Sequence, residues 1–245
     1  MTGIRVVLIA CLLSLCGQAW ASDAPAIRAG GRVGIIEMVT NDVTHFHVGR
    51  TEVNSFMRTY RAEWAAADLI DVPLMTSLTN AGFVPVPIAP SDTLRKERQS
   101  WFVDKPQAKK LARGCMKELA RLMADQNLAA VIVIAPGANN DPEFMWSRMP
   151  ESIQGFGILT SEEPNGVTKG AVFDLTQIVL VANTSDGAEL VVRDWGAVRS
   201  YDWPEFDATM NLKALTRAQL ASVQPVISEA IKQRIATRIV PRLKS

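Results

Sequence analysis

The chain has 245 residues, with 26 lysines and arginines against 25 aspartates and glutamates and a formal charge of +1. That balance excludes the basic footprint of a nucleic-acid binder. The length is enough for one domain with a real hydrophobic core, and after the first residues no run is long and apolar enough to cross a membrane.

Residues 1–21 read as an export signal outside the fold. Arg5 supplies the positive start, residues 6–15 are apolar, and Ala19-Trp20-Ala21 is a small-x-small cleavage site before Ser22. A lipoprotein signal with Cys16 as the lipidated residue is the competing reading, although Leu15 stands where that signal needs a small residue. Cleavage at Ala21-Ser22 leaves 245 − 21 = 224 residues, 22–245, as a single domain. Cys11 and Cys16 leave with the signal, so Cys115 is alone and the mature chain forms no internal disulfide. A chain of this size then leans on its core, which suits a bacterial periplasm. We expect a periplasmic or secreted protein. Asn183-Thr184-Ser185 matches a glycosylation triplet, a pattern common by chance.

Residues 22–31 are small and polar and read as a flexible lead. Residues 32–39 and 43–48 read as two strands joined at Asn41-Asp42 into a hairpin. The Ala-rich stretch 59–68 suggests a short helix. Asp71 looks like the N-cap of the next, with Pro73 in its first turn and Gly82 just past its end. In residues 83–88, Pro85 and Pro87 point one way and Val84, Val86 and Ile88 the other, which places the strand at an edge. Residues 89–106 are a polar connection carrying Arg95, Lys96, Arg98 and Trp101-Phe102.

Residues 107–126 have the strongest helical period. Leu111, Cys115, Leu119, Leu122 and Met123 share a face opposite Lys110, Arg113, Lys117 and Arg121. The helix leads into residues 128–136, an unbroken apolar run of the kind found where a strand is covered on both faces. The preceding strand, this helix and this run make a right-handed βαβ unit. A loop occupies 137–151. Residues 153–160, 170–182 and 189–195 are strands, the last two joined by a hairpin at Ser185-Asp186-Gly187. Residues 200–207 are a loop of aromatics and carboxylates. Thr216 and Gln219 form a capping box, and Leu220, Val223, Ile227, Ile231, Ile235 and Ile239 face one way, with Pro225 a kink or a second start. The fold class is α/β: a mixed central sheet with a βαβ unit, an antiparallel carboxyl-terminal hairpin and helices packed on the sheet.

Few residues invite chemistry. His45 and His47 share one side of a strand and are weak candidates for zinc or copper. A site needs a third ligand, for which Glu37 on the supposed partner strand is the only suggestion. Cys115 lies between Leu111 and Leu119, which suits packing better than nucleophilic attack. The serine-hydrolase elbow, the β-lactamase motif set and the phosphate-binding glycine loop are all missing from the sequence. Asp202 with Glu205, or Asp141 with Glu143, would serve a glycosidase only if held across a sugar. Aromatics in polar loops are the stronger signal. Phe144 and Trp146 in one loop, and Tyr201 and Trp203 in another, suit partner contact or closure of the sheet's end.

The order of elements resembles a family of exported α/β modules. It includes the amino-terminal domain of TolB, the lipoprotein activators of penicillin-binding proteins, and the curli secretion lipoprotein. The resemblance is carried by Gly31-Arg32-Val33-Gly34-Ile35-Ile36, Asn80-Ala81-Gly82-Phe83-Val84-Pro85-Val86, Leu128-Ala129-Ala130-Val131-Ile132-Val133 and the hairpin from Val179 to Leu190. It implies a non-catalytic accessory protein of the bacterial cell envelope that docks to another envelope protein and needs no cofactor. The alternatives are a hydrolase of envelope glycans or peptides, and a periplasmic protein binding a small ligand or metal.

Overall fold

The structure, a computed structural model, describes residues 27–101, 113–137, 153, 155–184, 187–194 and 199–244. Its strands in chain order are β1 Arg32–Glu37, β2 Asp42–Val48, β3 Phe56–Arg61, β4 Val84–Pro87, β5 Ala130–Pro136, β6 Phe156–Glu162, β7 Thr168–Asp174, β8 Thr176–Thr184, β9 Gly187–Asp194 and β10 Arg199–Asp202. The helices are α1 Ala66–Asn80, α2 Asp92–Trp101, α3 Arg113–Gln126, α4 Arg217–Ala221, α5 Val223–Arg234 and α6 Val240–Lys244.

The apolar run becomes β5, buried at every residue and central in a first sheet ordered β4-β1-β5-β8-β9. Successive residues of β5 feed opposite cores. Ala130, Ile132 and Ile134 pack with α1 and α5 on one side. Val131, Val133 and Ala135 pack with Leu94 of α2 and with Cys115, Leu119 and Met123 of α3 on the other. Such two-sided burial removes the polar alternation of a one-faced strand. β4 and β5 both run parallel to β1, while β8 and β9 add antiparallel, so the fold is mixed α/β.

A second sheet is ordered β10-β7-β6-β2-β3. The expected single sheet is therefore two, and the chain changes sheet at two junctions. The first corrects the β1–β2 hairpin: β2 pairs antiparallel with β3 and parallel with β6, never with β1. The second divides the supposed long strand 170–182 at Leu175. There Asp174 Oδ1 accepts bonds from Thr176 N at 2.7 Å and Thr176 Oγ1 at 2.6 Å, a local turn between sheets. α1 and α5 span one face of both sheets, with Val43, Phe156, Ile158 and Val172 of the second sheet in the same core as Ile132 and Leu180 of the first. β2 and β6 approach so closely that a Cβ on Gly157 would land in the Thr44 carbonyl.

Three further boundaries differ from expectation. Residues 56–61 are a strand, and the helix after it begins at Ala66, not Asp71, with Pro73 inside it. Burial of Leu69, Ile70, Leu74 and Leu78 outweighs the missing Pro73 donor. Gly82, at φ +90°, closes that helix as read. The loop at 200–207 begins with β10, paired to β7. Of the 107–126 helix, the part from Arg113 is described.

The Thr216–Gln219 capping box forms, with Gln219 N 3.3 Å from Thr216 Oγ1 and Thr216 N 2.8 Å from Gln219 Oε1. Pro225 sits in the first turn of α5, after a break at Ser222. Ile235–Ile239 is a π-helical segment between α5 and α6. Val223, Ile227, Ile231, Ile235, Ile239 and Leu243 are all buried in one core. A strict four-residue spacing gains about 40° per step on a helix of about 3.6 residues per turn. The wider π turn takes back part of that drift and keeps Ile239 and Leu243 inward.

Candidate functional site

The register of β2 against β6 sets His45, His47 and Thr160 together on the inner face of the second sheet. All three are buried. Thr160 Oγ1 lies 2.8 Å from His45 Nε2 and 2.8 Å from His47 Nδ1. Phe56 of β3 stacks on the His47 ring at 4.9 Å and meets the His45 ring edge-on at 5.3 Å. One hydroxyl donates once, so it accepts from one ring and donates to the other. His47 Nε2 lies 3.8 Å from Glu162 Oε1, which favours the His47 proton on Nε2. Thr160 then donates to His47 Nδ1 and accepts from His45 Nε2–H. His45 Nδ1 is left as a buried lone pair without a partner. Burial pushes the His45 pKa down to about 4, helped by the nearby charges of His47 and Arg58. Burial also lowers that of His47, against the pull of Glu162.

The histidines do not gather a third metal ligand. Glu37 lies on β1 in the first sheet, and among the described residues no group of three or more His, Cys, Asp and Glu is placed to hold a metal. Glu37 has its own surroundings: burial raises its pKa to about 7, the Asp71 charge adds to this, and the Val39 N–H and Arg95 oppose it. Cys115 is fully buried in the core beneath α3.

A second polar cluster was not foreseen. Arg234, at the end of α5, reaches Asp174 Oδ2 at 2.6 Å, Asp194 Oδ2 at 3.0 Å, Thr176 Oγ1 at 2.8 Å and Thr176 O at 2.9 Å. Arg199 Nη2 meets Asp194 Oδ1 at 2.5 Å. Burial disfavours the Arg234 charge, but Asp174 and Asp194 more than offset it and hold the pKa above its usual value. The cluster ties α5 to the junction of β7 and β8 and to β9, and its side chains are engaged with one another.

Of the aromatics singled out in the sequence, Phe144 and Trp146 lie outside the described residues, as do Asp141 and Glu143. Tyr201 and Trp203 sit on and just after β10. Trp203 is 4 % exposed, with Nε1 2.8 Å from Ser222 Oγ and its ring 5.8 Å from Phe206. Tyr201 is half-buried against the same core. Asp202 and Glu205 are exposed. A shallow open depression between α3 and β9, lined by Gly114, Met116, Lys117, Ala120 and Ala188, brings one charged side chain and no carboxylate or imidazole.

The sheet margins differ more than the cavities do. At β4, Val84 N and Ile88 N donate to Gly31 O and Ile35 O of the β1 segment, so Pro85 and Pro87 occupy the outward positions and have no N–H to offer. β9 carries a bulge: Val192 opposes Leu180 and Leu190 opposes Val181, leaving Val191 over. β10 has four residues. Prolines, bulges and shortness are the usual protections of a sheet edge.

β3 has none of these. Ala62 N donates to Asn41 O, so on the two-residue period of an antiparallel ladder Tyr60, Arg58 and Phe56 also pair inward with β2. The backbone N–H and C=O groups of Met57, Thr59 and Arg61 therefore face away from the sheet. Met57 is 47 % exposed, and Arg58, Thr59 and Arg61 are exposed as well. Arg58 does not cover the margin. Its guanidinium donates to Lys213 O and stands 5.9 Å over the Phe56 ring, on the sheet's face. Sequence reasoning missed this strand, although Phe56, Thr59 and Tyr60 are strand-formers.

No family model matches the chain, and no curated protein matches it. Among solved structures it is similar to a hypothetical protein from Chlamydia trachomatis, at 6 % identity and a TM-score of 0.41 over 86 % of this chain and 97 % of that one. It is also similar to PelC from Paraburkholderia phytofirmans, solved as a dodecamer. One structure gives 12 % identity and a TM-score of 0.33 over 91 % of this chain and 95 % of that one. The second gives 11 % and 0.31 over 91 % and 93 %. None of these reaches a TM-score of 0.5, and they lend no support to the resemblance to the TolB-type modules. Among the described residues, no helix is long and apolar enough to cross a membrane.

Proposed function

We propose that the mature chain is an exported accessory protein of the bacterial cell envelope that works by docking to another envelope protein, without catalysis. The observation that carries this reading is the outer margin of β3. Three residues there present main-chain donors and acceptors to solvent, beside an exposed Met57, while the margins at β4, β9 and β10 are stopped. An exposed edge of this kind accepts an extended segment of a partner as an added strand. The two histidines fit the same reading: His45 and His47 are buried and bonded to Thr160 within the fold. The reading of residues 1–21 as an export signal supports the compartment.

The test is affinity capture from envelope extracts with the mature chain and with a Thr59→Pro chain. Thr59 N–H points outward, so proline there removes a donor a guest needs and leaves the β2 ladder intact. We expect a defined partner to be retained in near-stoichiometric amount by the wild type and lost from the variant. Capture indifferent to the substitution, or a glycan- or peptide-hydrolysing turnover that disappears in Asp202→Asn/Glu205→Gln, overturns the reading.

A further inference from the structure

We infer that Asn165 is a site of self-modification: its side-chain amide is lost through attack by the Gly166 backbone nitrogen, leaving aspartate and isoaspartate in the turn between β6 and β7. The inference does not rest on the docking reading. It starts from one pair of residues. Asn165-Gly166 is the single Asn-Gly pair among the 245 residues. Glycine has no Cβ to shield its nitrogen, so ring closure onto the preceding asparagine side chain is least hindered there.

The turn explains why the pair stands where it does. Glu163 N donates to Val167 O at 2.8 Å and Gly166 N to Glu163 O at 2.9 Å, which closes a tight turn over Pro164 and Asn165. Gly166 stands at φ +84°, in the left-handed region, where a residue with a Cβ is strained. Residues Pro164 to Val167 are all exposed, so water reaches the amide. Val167 N donates to Asn165 Oδ1 at 3.0 Å. That bond folds the side chain forward over the Gly166 peptide and draws electron density from Cγ. Arg50 lies against the same glycine: a Cβ built on Gly166 would stand 2.7 Å from Arg50 Nη2. The two neighbouring acids face cations, Glu163 with Lys169 at 3.4 Å and Glu162 with Arg50 at 4.0 Å.

The steps balance with water as the only co-reactant. Hydroxide removes the Gly166 N–H proton, and the nitrogen bonds to Asn165 Cγ. The Cγ–Nδ2 bond breaks, and Nδ2 takes a proton from water and leaves as ammonia. Water then adds to one of the two carbonyls of the succinimide ring. Attack at Cγ reopens the new bond and gives aspartate; attack at the Asn165 main-chain carbonyl breaks the original peptide bond and gives isoaspartate. The Arg50 guanidinium favours both anions on this path, the nitrogen before attack and the tetrahedral oxygen after it. The Gly166–Glu163 bond opposes the reaction, because the N–H is freed only when the turn opens. Conversion is therefore slower than in an open peptide of the same sequence, and faster than at Asn54 or Asn80. Those two are also exposed, but each precedes a residue with a Cβ, Ser55 or Ala81, whose N–H is bonded to Glu52 O or Ser77 O.

The experiment incubates the whole mature chain at neutral and at alkaline pH and follows digested peptides by mass spectrometry. We expect the mass gain of an amide-to-acid exchange at Asn165 before Asn54 and Asn80, with isoaspartate among the products and a rate that rises with pH. A synthetic peptide of residues 161–169, which lacks Arg50, sets the open-turn rate. Arg50→Gln should slow conversion in the folded chain about threefold, the weight of one exposed charge contact. Asn165 still intact when the peptide has converted overturns the inference. Equal rates at Asn54 or Asn80 overturn it too, because the pair and its turn then confer nothing. So does aspartate formed without isoaspartate, which means direct hydrolysis of the amide without ring closure. A rate unchanged in Arg50→Gln overturns the role given to Arg50.

Discussion

Arg234 Nη1 lies 2.6 Å from Asp174 Oδ2, across 60 residues of sequence and with both side chains almost wholly out of solvent. The same guanidinium holds Asp194, so one cation answers two carboxylates from strands of different sheets. Removing one member of a buried pair leaves the other charged and unsolvated, at a cost of about 3–5 kcal/mol. We expect Arg234→Met to lower the unfolding free energy read from urea titration by that order. Arg234→Lys should recover only part of the loss, because a single ammonium cannot reproduce the fork that meets Asp174, Asp194 and Thr176 together. Full recovery with lysine would show that charge alone, not the planar geometry, holds the junction.

The Thr160 hydroxyl is shared by two imidazoles, which makes it unusually sensitive for a residue that touches no ligand. Thr160→Val keeps the volume but leaves His45 Nε2 and His47 Nδ1 buried without partners. The expected loss is about 1–3 kcal/mol for each orphaned nitrogen, read from chemical denaturation. Thr160→Ser keeps the hydroxyl and should lose much less. A valine variant as stable as the serine one would show that the two bonds contribute nothing net.

The pH dependence of stability carries two opposed slopes. His45 takes a proton near 6.5 when unfolded but only near about 4 when folded. Its contribution is full above 6.5 and is lost as pH falls from there to about 4. Glu37 runs the other way. Its carboxyl ionises near 4.5 when unfolded and near about 7 when folded, so its contribution is full below 4.5 and is lost as pH rises to about 7. Between 4.5 and 6.5 the two act against each other. We expect Glu37→Gln to make the urea midpoint climb more steeply with pH through that window, and His45→Gln to make it climb less or fall. Slopes unchanged from the wild type in both variants would remove these two groups from the account.

The first sheet was legible in the sequence because its signals are local. An apolar run bounded by Asn127 and Pro136, an amphipathic helix before it, and two prolines at one parity in 83–88 each constrain their own neighbourhood, and β5, α3 and β4 lie where those patterns put them. The division into two sheets was not legible. A two-faced apolar strand says that it is covered, not by which neighbour, and the short Asn41-Asp42 link suits a hairpin as well as a crossing between sheets. The break at Leu175 did leave a trace: Asp174 and Thr176 are polar residues inside a strongly apolar stretch, and they bond to each other. Arg234 left a weaker one, a cation flanking the buried isoleucine face, whose partners lie far off in the chain. The candidate docking margin was missed because 59–68 is rich in alanine. Local propensity there favoured a helix, and pairing with β2 decided otherwise.

Pro85 and Pro87 bear on whether strand pairing could pass from one molecule to the next. Fibre growth by strand pairing needs two receptive borders on one molecule, a leading one and a trailing one. Here the first sheet ends in prolines on one side and a bulged strand on the other, and the second sheet ends in a four-residue strand opposite its single receptive border. Among the described residues, a chain built this way can end a ribbon at β3 but offers no second open strand from which to extend it.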